Sequence, residues 1–451
     1  MKSLCFLLMF VTFAGVNGSE IRMLNGDKLQ GEILRIEQGR LLISPSWKEG
    51  VMEIPAKYVG DIRYAGVQSD WRQEVYDTKV VLGNLDYFEA NFLEMNGDHA
   101  RFQMPWGQTA TLKRRHLAEI HFQPPNLSPI FLDVGDLSKW DIPVLQNINQ
   151  HPVELRGNAY VLRARASLSR ELPPLPEKFI FEFTVEPPPS VSNYHVGLSR
   201  QNVNEAPFLN MIFTPRQFHF QARQQGGRGV FADNWQVQMP EDGGEIRVRL
   251  RVDAGKSEFQ LELNDFLVRS WQIEDMDLKP FLRDGMIRVS YQHGNHPLTL
   301  KGFRLLEWTG DFDFGDPPGE VPRKADKDIL YLQNGDVLSG TVLSINQNHV
   351  DLQLGELVIP VDRKRLRSLF FAAEKVSPRR KRARDVEIQD STGFTRLTLA
   401  LRQLDEAVLR GESDAWVDVL QIPVQDLGTI RFNPYLRYRN EPSDLLRELG
   451  Y

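Results

Sequence analysis

The residues best placed to do chemistry lie in segment 217–223, where Phe218, Phe220 and Ala222 alternate with Gln217, His219, Gln221 and Arg223. A period of two sends the first set into a core and the second onto one polar face. Amide, imidazole and guanidinium groups in a row are the kinds of group that bond sugar hydroxyls. His195 falls on the non-core face of the HVGLSR segment, and Trp235, read in a loop GGRGVFADNWQ, supplies an apolar platform at the rim. The plainer alternative is a solvated face with Trp235 tucked under its loop, since antiparallel sheets keep one wet side.

A second polar row, Arg247, Arg249 and Arg251, alternates with Ile246, Val248, Leu250 and Val252. Three arginines in line could grip an anionic polymer through forked hydrogen bonds. The next strand carries Glu258 and Glu262, however, and cross-strand ion pairs account for the row as well. Other chemistries lack their residues. The one cysteine is Cys5, and the nine histidines show no zinc spacing. No phosphate loop, serine elbow or redox pair occurs, so no catalytic residue, metal or cofactor is expected.

These candidates need a scaffold, and the chain supplies one in pieces. Its 451 residues, 41% apolar and 25% charged, suit roughly three globular domains. A net charge of -6 gives no bulk attraction to nucleic acid or anionic membranes. Lys2, the apolar run Leu4 to Ala14 and the small residues Val16-Asn17-Gly18 read as an export signal over 1–18, cleaved before Ser19. That run is too short to span a bilayer, and no later segment is long enough either, so no transmembrane anchor is expected. The mature chain is expected to be periplasmic or secreted.

Residues 21–64 and 329–371 share a pattern. Asn25-Gly26-Asp27 matches Asn334-Gly335-Asp336, and Leu29, Gly31, Ile33 and Ile36 match Leu338, Gly340, Val342 and Ile345 at constant offset. Two weaker copies keep the ending: Ile422-Pro423 stand eight residues before Ile430, as Ile54-Pro55 stand before Ile62, and Leu112 stands eight before Ile120. The second copy shows no Asn-Gly-Asp turn. Asn-Gly supplies a tight hairpin turn, and the proline belongs at a strand edge. The recurring Asp27 and Asp336 are turn residues; one carboxylate is far from the ligand set calcium takes. Four small β-barrels of SH3-like or Sm-like kind are therefore expected at 19–66, 76–123, 328–373 and 385–434.

Pro-rich joints at 123–129 and 316–328 bracket a central region, 130–312, with a linker over 313–327. FIFEFTVEP, HVGLSR, FHFQARQ, EIRVRLRVD, SEFQLELND and MIRVSYQ each alternate in period two, which argues for a two-sheet sandwich. The succession VRLRVDAGKSEFQLELNDFLVRSW and the closing MIRVSYQHGNHPLTLKGFRLLEW resemble the LamG-like or concanavalin A-like lectin and glucanase family. The resemblance implies a sandwich whose last strand pairs with its first, and a protein that binds or processes glycans. Laminarinase-like members carry acids at alternate strand positions, and Glu182 and Glu186 come nearest, with Thr184 where the middle acid belongs. Residues four apart on a strand lie about 13 Å apart, against about 5–9.5 Å for hydrolytic carboxylate pairs. Glu182 and Glu186 are therefore expected on a solvated strand.

A basic run, 377–384, lies in a linker over 374–384, where with Arg363, Lys364, Arg365 and Arg367 it could hold a polyanion; an exposed linker is the commoner meaning. In the tail, 435–451, a helix is expected from Ser443 to Leu449. The expected protein is all-β, a concanavalin A-like sandwich flanked by pairs of small barrels. It is an extracytoplasmic, non-enzymatic binding or scaffold protein for a polysaccharide or an envelope protein, with no nucleic-acid partner. A secreted glycoside hydrolase is the alternative. N-terminal sequencing of protein recovered outside the cytoplasm should begin at Ser19; a chain that starts at Met1 contradicts the export reading.

Overall fold

The computed structural model describes residues 18–64, 75–123, 127–143 except 134, 152–186 except 157, 193–200, 209–223 except 215–216, 230–236, 245–308 except 265, 274–277 and 295, 326–372, 376, 382 and 384–435. The export segment through residue 17, the joints at 124–126 and 309–325, most of the basic run and the helix expected at Ser443 to Leu449 lie outside them.

The central region is a two-sheet antiparallel sandwich. One sheet has eight strands and the other six. The closing strand Leu298–Glu307 pairs with the first strand, Ser128–Leu132, with Ser128 opposite Glu307. Alternation builds the core: Phe181 and Phe183, Val248 and Leu250, and Phe259 and Leu261 from the larger sheet meet Val196, Met211, Phe218, Phe220 and Val289 from the smaller. Burying large aliphatic and aromatic side chains contributes about 1.5–3 kcal/mol each, which makes this core the main source of the sandwich's stability. A one-turn α-helix, Lys279–Arg283, lies in this region, where only strands were expected. Its Phe281 enters the core.

Outside the sandwich lie four units of five strands each. The first runs from Ser19–Met23 to Val59–Arg63 and the second from Thr78–Leu82 to Leu117–Phe122. The third runs from Asp328–Leu332 to Leu366–Phe370 and the fourth from Asp385–Asp390 to Leu427–Phe432. In each, the first strand pairs with the second and the fifth. The second strand of each carries a register shift where it bends over the third, at Ile33/Arg35, Phe92/Glu94, Val342/Ser344 and Leu401/Gln403.

The units pair with one another. The fifth strand of the first pairs with that of the fourth, Ile62 opposite Ile430, and the fifth of the second pairs with that of the third, Ile120 opposite Leu369. Further contacts join the second unit to the fourth, so that all twenty strands form one hydrogen-bonded set around a shared apolar core.

Two details differ from the sequence reading. The second unit does have the opening turn, as Asn84-Leu85-Asp86, with Leu85 at φ 68° in the place of Gly26. Its Leu85 N–H donates to the Leu82 carbonyl at 2.9 Å, just as Gly26 donates to Met23 at 3.0 Å. Pro55 and Pro423 serve less as edge breakers than as the residue that opens a one-turn 3-10 helix before the fifth strand. Lys113 and Asp362 hold that position in the other two units, so in the third unit Val361-Asp362, and not Ile359-Pro360, matches Ile54-Pro55.

The larger sheet's outer face is where sandwich and units meet, and it is charged. Glu182 accepts from the Nε of both Arg249 and Arg304. Arg304 forks onto Glu89 of the second unit with two bonds of 3.0 Å, and Arg247 adds a third at 2.7 Å. Glu262 takes Arg249 at 3.0 Å, Arg251 at 2.9 Å and Arg367 of the third unit at 2.7 Å. Phe394 of the fourth unit lies beneath the Arg304 and Arg247 guanidiniums, 4.0 and 4.8 Å from its ring centre.

The unit carrying Phe394 can come this close because Gly302 has φ 64°, and a Cβ there would stand 2.8 Å from the Thr392 carbonyl oxygen. The arginine row therefore forms ion pairs as expected, with Glu262 as its chief cross-strand partner. Arg247 and Arg249 are buried and Arg251 is half-buried at the units rather than wet, and Glu182 is a fully buried ion-pair partner rather than a solvated residue.

Beside this network Lys301 pairs with Glu245, which also accepts from the Tyr87 hydroxyl at 3.0 Å. Burial favours the neutral Glu245 carboxyl, but Lys301, Arg396 and Gln389 outweigh it and hold it at about 2. Burial works the same way on Glu89, and Arg304 and Arg247 bring it below its ordinary value. A carboxylate whose pKa is depressed on folding stabilises above its unfolded value, about 4.3, and loses that contribution as pH falls through the folded value.

Acidification from about pH 4.5 toward 2 should therefore loosen the protein, as seen by intrinsic fluorescence. Glu89→Gln, which leaves two buried guanidiniums without their carboxylate, should cost about 3–5 kcal/mol in urea denaturation and remove part of the acid response. A variant as stable as the parent would show that this network does not hold the sandwich to the units.

Candidate functional site

With the larger sheet covered by the units, the outer face of the six-stranded sheet is the sandwich's other broad surface. Phe218, Phe220 and Ala222 of strand Gln217–Arg223 are buried in the core, and Gln217, His219 and Gln221 point the other way. Gln217 is exposed, and His219 and Gln221 are half-buried. The strand is anchored from within: Phe220 stacks on Trp271 of the opposite sheet at 4.4 Å between ring centres. Asp233 of the neighbouring strand accepts the Trp271 indole N–H at 2.9 Å and Arg269 at 3.0 Å. The polar row thus sits on a fixed backbone.

Strand register lays the face out as a grid. One line across the sheet runs Ser290, His195, Ile212, His219, Asn234. The next runs Arg288, Gly197, Asn210, Gln221, Ala232. His195 does join the row of His219, two strands away with Ile212 between them.

Asn210 is the residue that sequence reasoning missed. Its amide Nδ2 lies 3.1 Å from His195 Nδ1. With the amide donating, Nδ1 accepts and the ring proton sits on Nε2. Asn210 is 5% exposed and Ser199 2%, and the Asn210 Oδ1 and Ser199 Oγ atoms are buried without hydrogen-bond partners among the described residues. Buried polar atoms normally have partners, so two unpaired ones on one face mark it as unusual.

The signal for Asn210 was faint: one polar residue in a short apolar run, LNMIF. Arg288 and Ser290 were legible as a polar row, but not as neighbours of His195, because their strands are separated by about ninety residues of sequence.

The two remaining candidates stand differently. Trp235 lies in a strand, Val230–Gln236, and not in a loop, with its backbone opposite the core residue Phe218. Arg223 ends the neighbouring strand opposite Val230. The side chains of both lie outside the described residues.

Comparison with known proteins adds little to this geometry. No family model matches the chain, and no curated protein matches it. Among solved structures, a chain from work on endo-acting O-glycanases of the human gut microbiota is 10% identical, with a TM-score of 0.33 over 40% of this chain and 100% of its own. An endo-1,3-β-glucanase from Streptomyces sioyaensis is 9% identical, with a TM-score of 0.31 over 42% of this chain and 99% of its own. Sheep galectin-11 is 11% identical, with a TM-score of 0.24 over 32% and 98%. Likeness at this level carries no argument about activity.

Asn210→Leu removes both a buried unpaired acceptor, which costs about 1–3 kcal/mol, and one hydrogen bond worth about 1 kcal/mol. Its thermal midpoint should therefore match or slightly exceed the parent's. A marked fall would show that Asn210 is structural rather than held in place for a ligand.

Proposed function

We propose that the protein is an extracytoplasmic, non-enzymatic binding or scaffold protein whose concanavalin A-like sandwich holds a glycan on the outer face of its six-stranded sheet. In this reading the four small units are SH3-like barrels derived from one repeated unit, and they carry the sandwich rather than the ligand. The observation behind the proposal is the inequality of the two faces. The units cover one through ion pairs, and the other carries His195, Asn210, His219 and Gln221 on a rigid backbone, where the buried Asn210 Oδ1 has no hydrogen-bond partner among the described residues. Sugar hydroxyls both donate and accept, so they suit a face that mixes imidazole and amide groups.

A hydrolytic reading finds no support in the acidic pair considered from sequence. Glu182 is fully buried and engaged by Arg249 and Arg304.

The test is an array of diverse polysaccharides, followed by affinity electrophoresis on any that bind. Gln221→Ala and Arg223→Ala should each weaken retention about tenfold, the worth of one good hydrogen bond, with unchanged thermal stability. Arg251→Ala, on the covered face, should leave retention intact. If no glycan binds the parent, or one is turned over, the proposal fails.

A further inference from the structure

Each small unit has a fourth strand just before its 3-10 helix, and among the described residues the outer edges of these four strands meet different fates. In the second unit, Thr109–Lys113 is already paired in cis by the segment Asp414-Ala415-Trp416-Val417-Asp418 of the fourth. The Lys113 N–H donates to the Ala415 carbonyl at 2.8 Å, and the Val417 N–H donates to the Thr111 carbonyl at 2.9 Å. Trp416 bridges to Leu112 and packs 5.3 Å from Phe88 between ring centres. Asp418 accepts from the Thr111 N–H at 2.8 Å. In the first and fourth units the residue matching Lys113 is Pro55 or Pro423, which has no N–H to give.

Among the described residues the third unit alone keeps the donor and leaves the edge open. Asp362 matches Lys113, and Pro360, matching Thr111, retains the carbonyl that the pairing uses. Among the described residues this strand, Leu357–Asp362, pairs only with His349–Leu354. Leu357 is 68% exposed, Val358 52% and Ile359 38%. Leu338, at the place of Phe88, is half-buried where Phe88 is fully covered by Trp416. Exposed aliphatic edges of this kind pair with added strands unless something blocks them.

We propose that the edge Leu357–Asp362 binds an extended peptide segment of a partner protein by strand addition. The segment carries a bulky apolar residue, best an aromatic one, with a carboxylate two residues before it. The cis segment supplies the template, since Asp414 stands two residues before Trp416; the Asp418 carboxylate, which accepts the Thr111 N–H, would find no donor at Pro360. Charge agrees with it: Lys364 and Arg365 stand exposed at the end of this edge. Pro360 argues against a second copy as occupant, because an edge paired with itself would place two prolines in the ladder.

The probe is a fluorescein-labelled peptide with the sequence of residues 413–420, SDAWVDVL, titrated into the full-length protein by anisotropy. Saturable binding is expected. Replacing the peptide's Trp by Ala, or the Asp two residues before it by Lys, should weaken it about tenfold or more. Asp362→Pro removes the edge donor at φ -57°, an angle proline accepts and the residue type already present in two sister units, so it should fold normally and lose binding. Val358→Lys, on an exposed position, should do the same. Absence of saturable binding, or binding that survives Asp362→Pro in folded protein, overturns the proposal. So does concentration-dependent dimerisation of the parent that Val358→Lys abolishes, which would assign the edge to a second copy.

Discussion

Charge burial at the seam between the sandwich and the small units is the constraint on which the rest of the structure depends. A guanidinium taken out of water is tolerated only where a carboxylate meets it with good geometry. Glu89 and Glu182 do this for Arg304, Arg247 and Arg249, and Glu262 does it for Arg249, Arg251 and Arg367. Because each acid serves arginines from more than one strand, the sheet can dock on the units in one registry only. An apolar seam of the same area would hold as firmly but would tolerate sliding. Here a slip of one residue would bring like charges together, and the directionality of hydrogen bonds fixes the pose.

That fixed pose gives the sandwich its asymmetry. The sheet facing the units is charged and dry, and Gly302 lets the Thr392–Phe394 turn lie against it. The other sheet keeps its own polar grid, rigid because Phe220 and Trp271 stack beneath it. The units in turn divide the labour unequally among themselves. A segment of the fourth covers the second's edge, and among the described residues the third keeps its own uncovered.

Much of the architecture was legible in the sequence because period-two alternation reports one buried face per strand. Phe218 and Phe220, or Val248 and Leu250, could be placed in a core from spacing alone, and Asn25-Gly26-Asp27 announced its turn. What spacing cannot report is what covers the other face. Arg247, Arg249 and Arg251 read as a surface row because a strand's polar side is normally wet. Their burial depends on Glu89 and Arg367, which lie far off in sequence. Leu85 hid a turn for a related reason, since a leucine at positive φ is disfavoured by its Cβ and is held there by the surrounding unit. Asn210 was invisible as a site residue because its partner, His195, is a neighbour only through strand register.

The pairing of the first unit with the fourth has a consequence in time. Strand Val59–Arg63 finds its partner in Leu427–Phe432, more than three hundred and sixty residues later in the chain. At about 5–20 residues per second of synthesis, the first unit waits tens of seconds with that edge unpaired. The second waits on the third across the whole sandwich. Folding therefore closes like nested brackets, the inner pair before the outer, and the sandwich between them is the piece that can form first. A chain interrupted near its end would carry a finished sandwich beside an open strand edge, a species made for aggregation rather than for partial function.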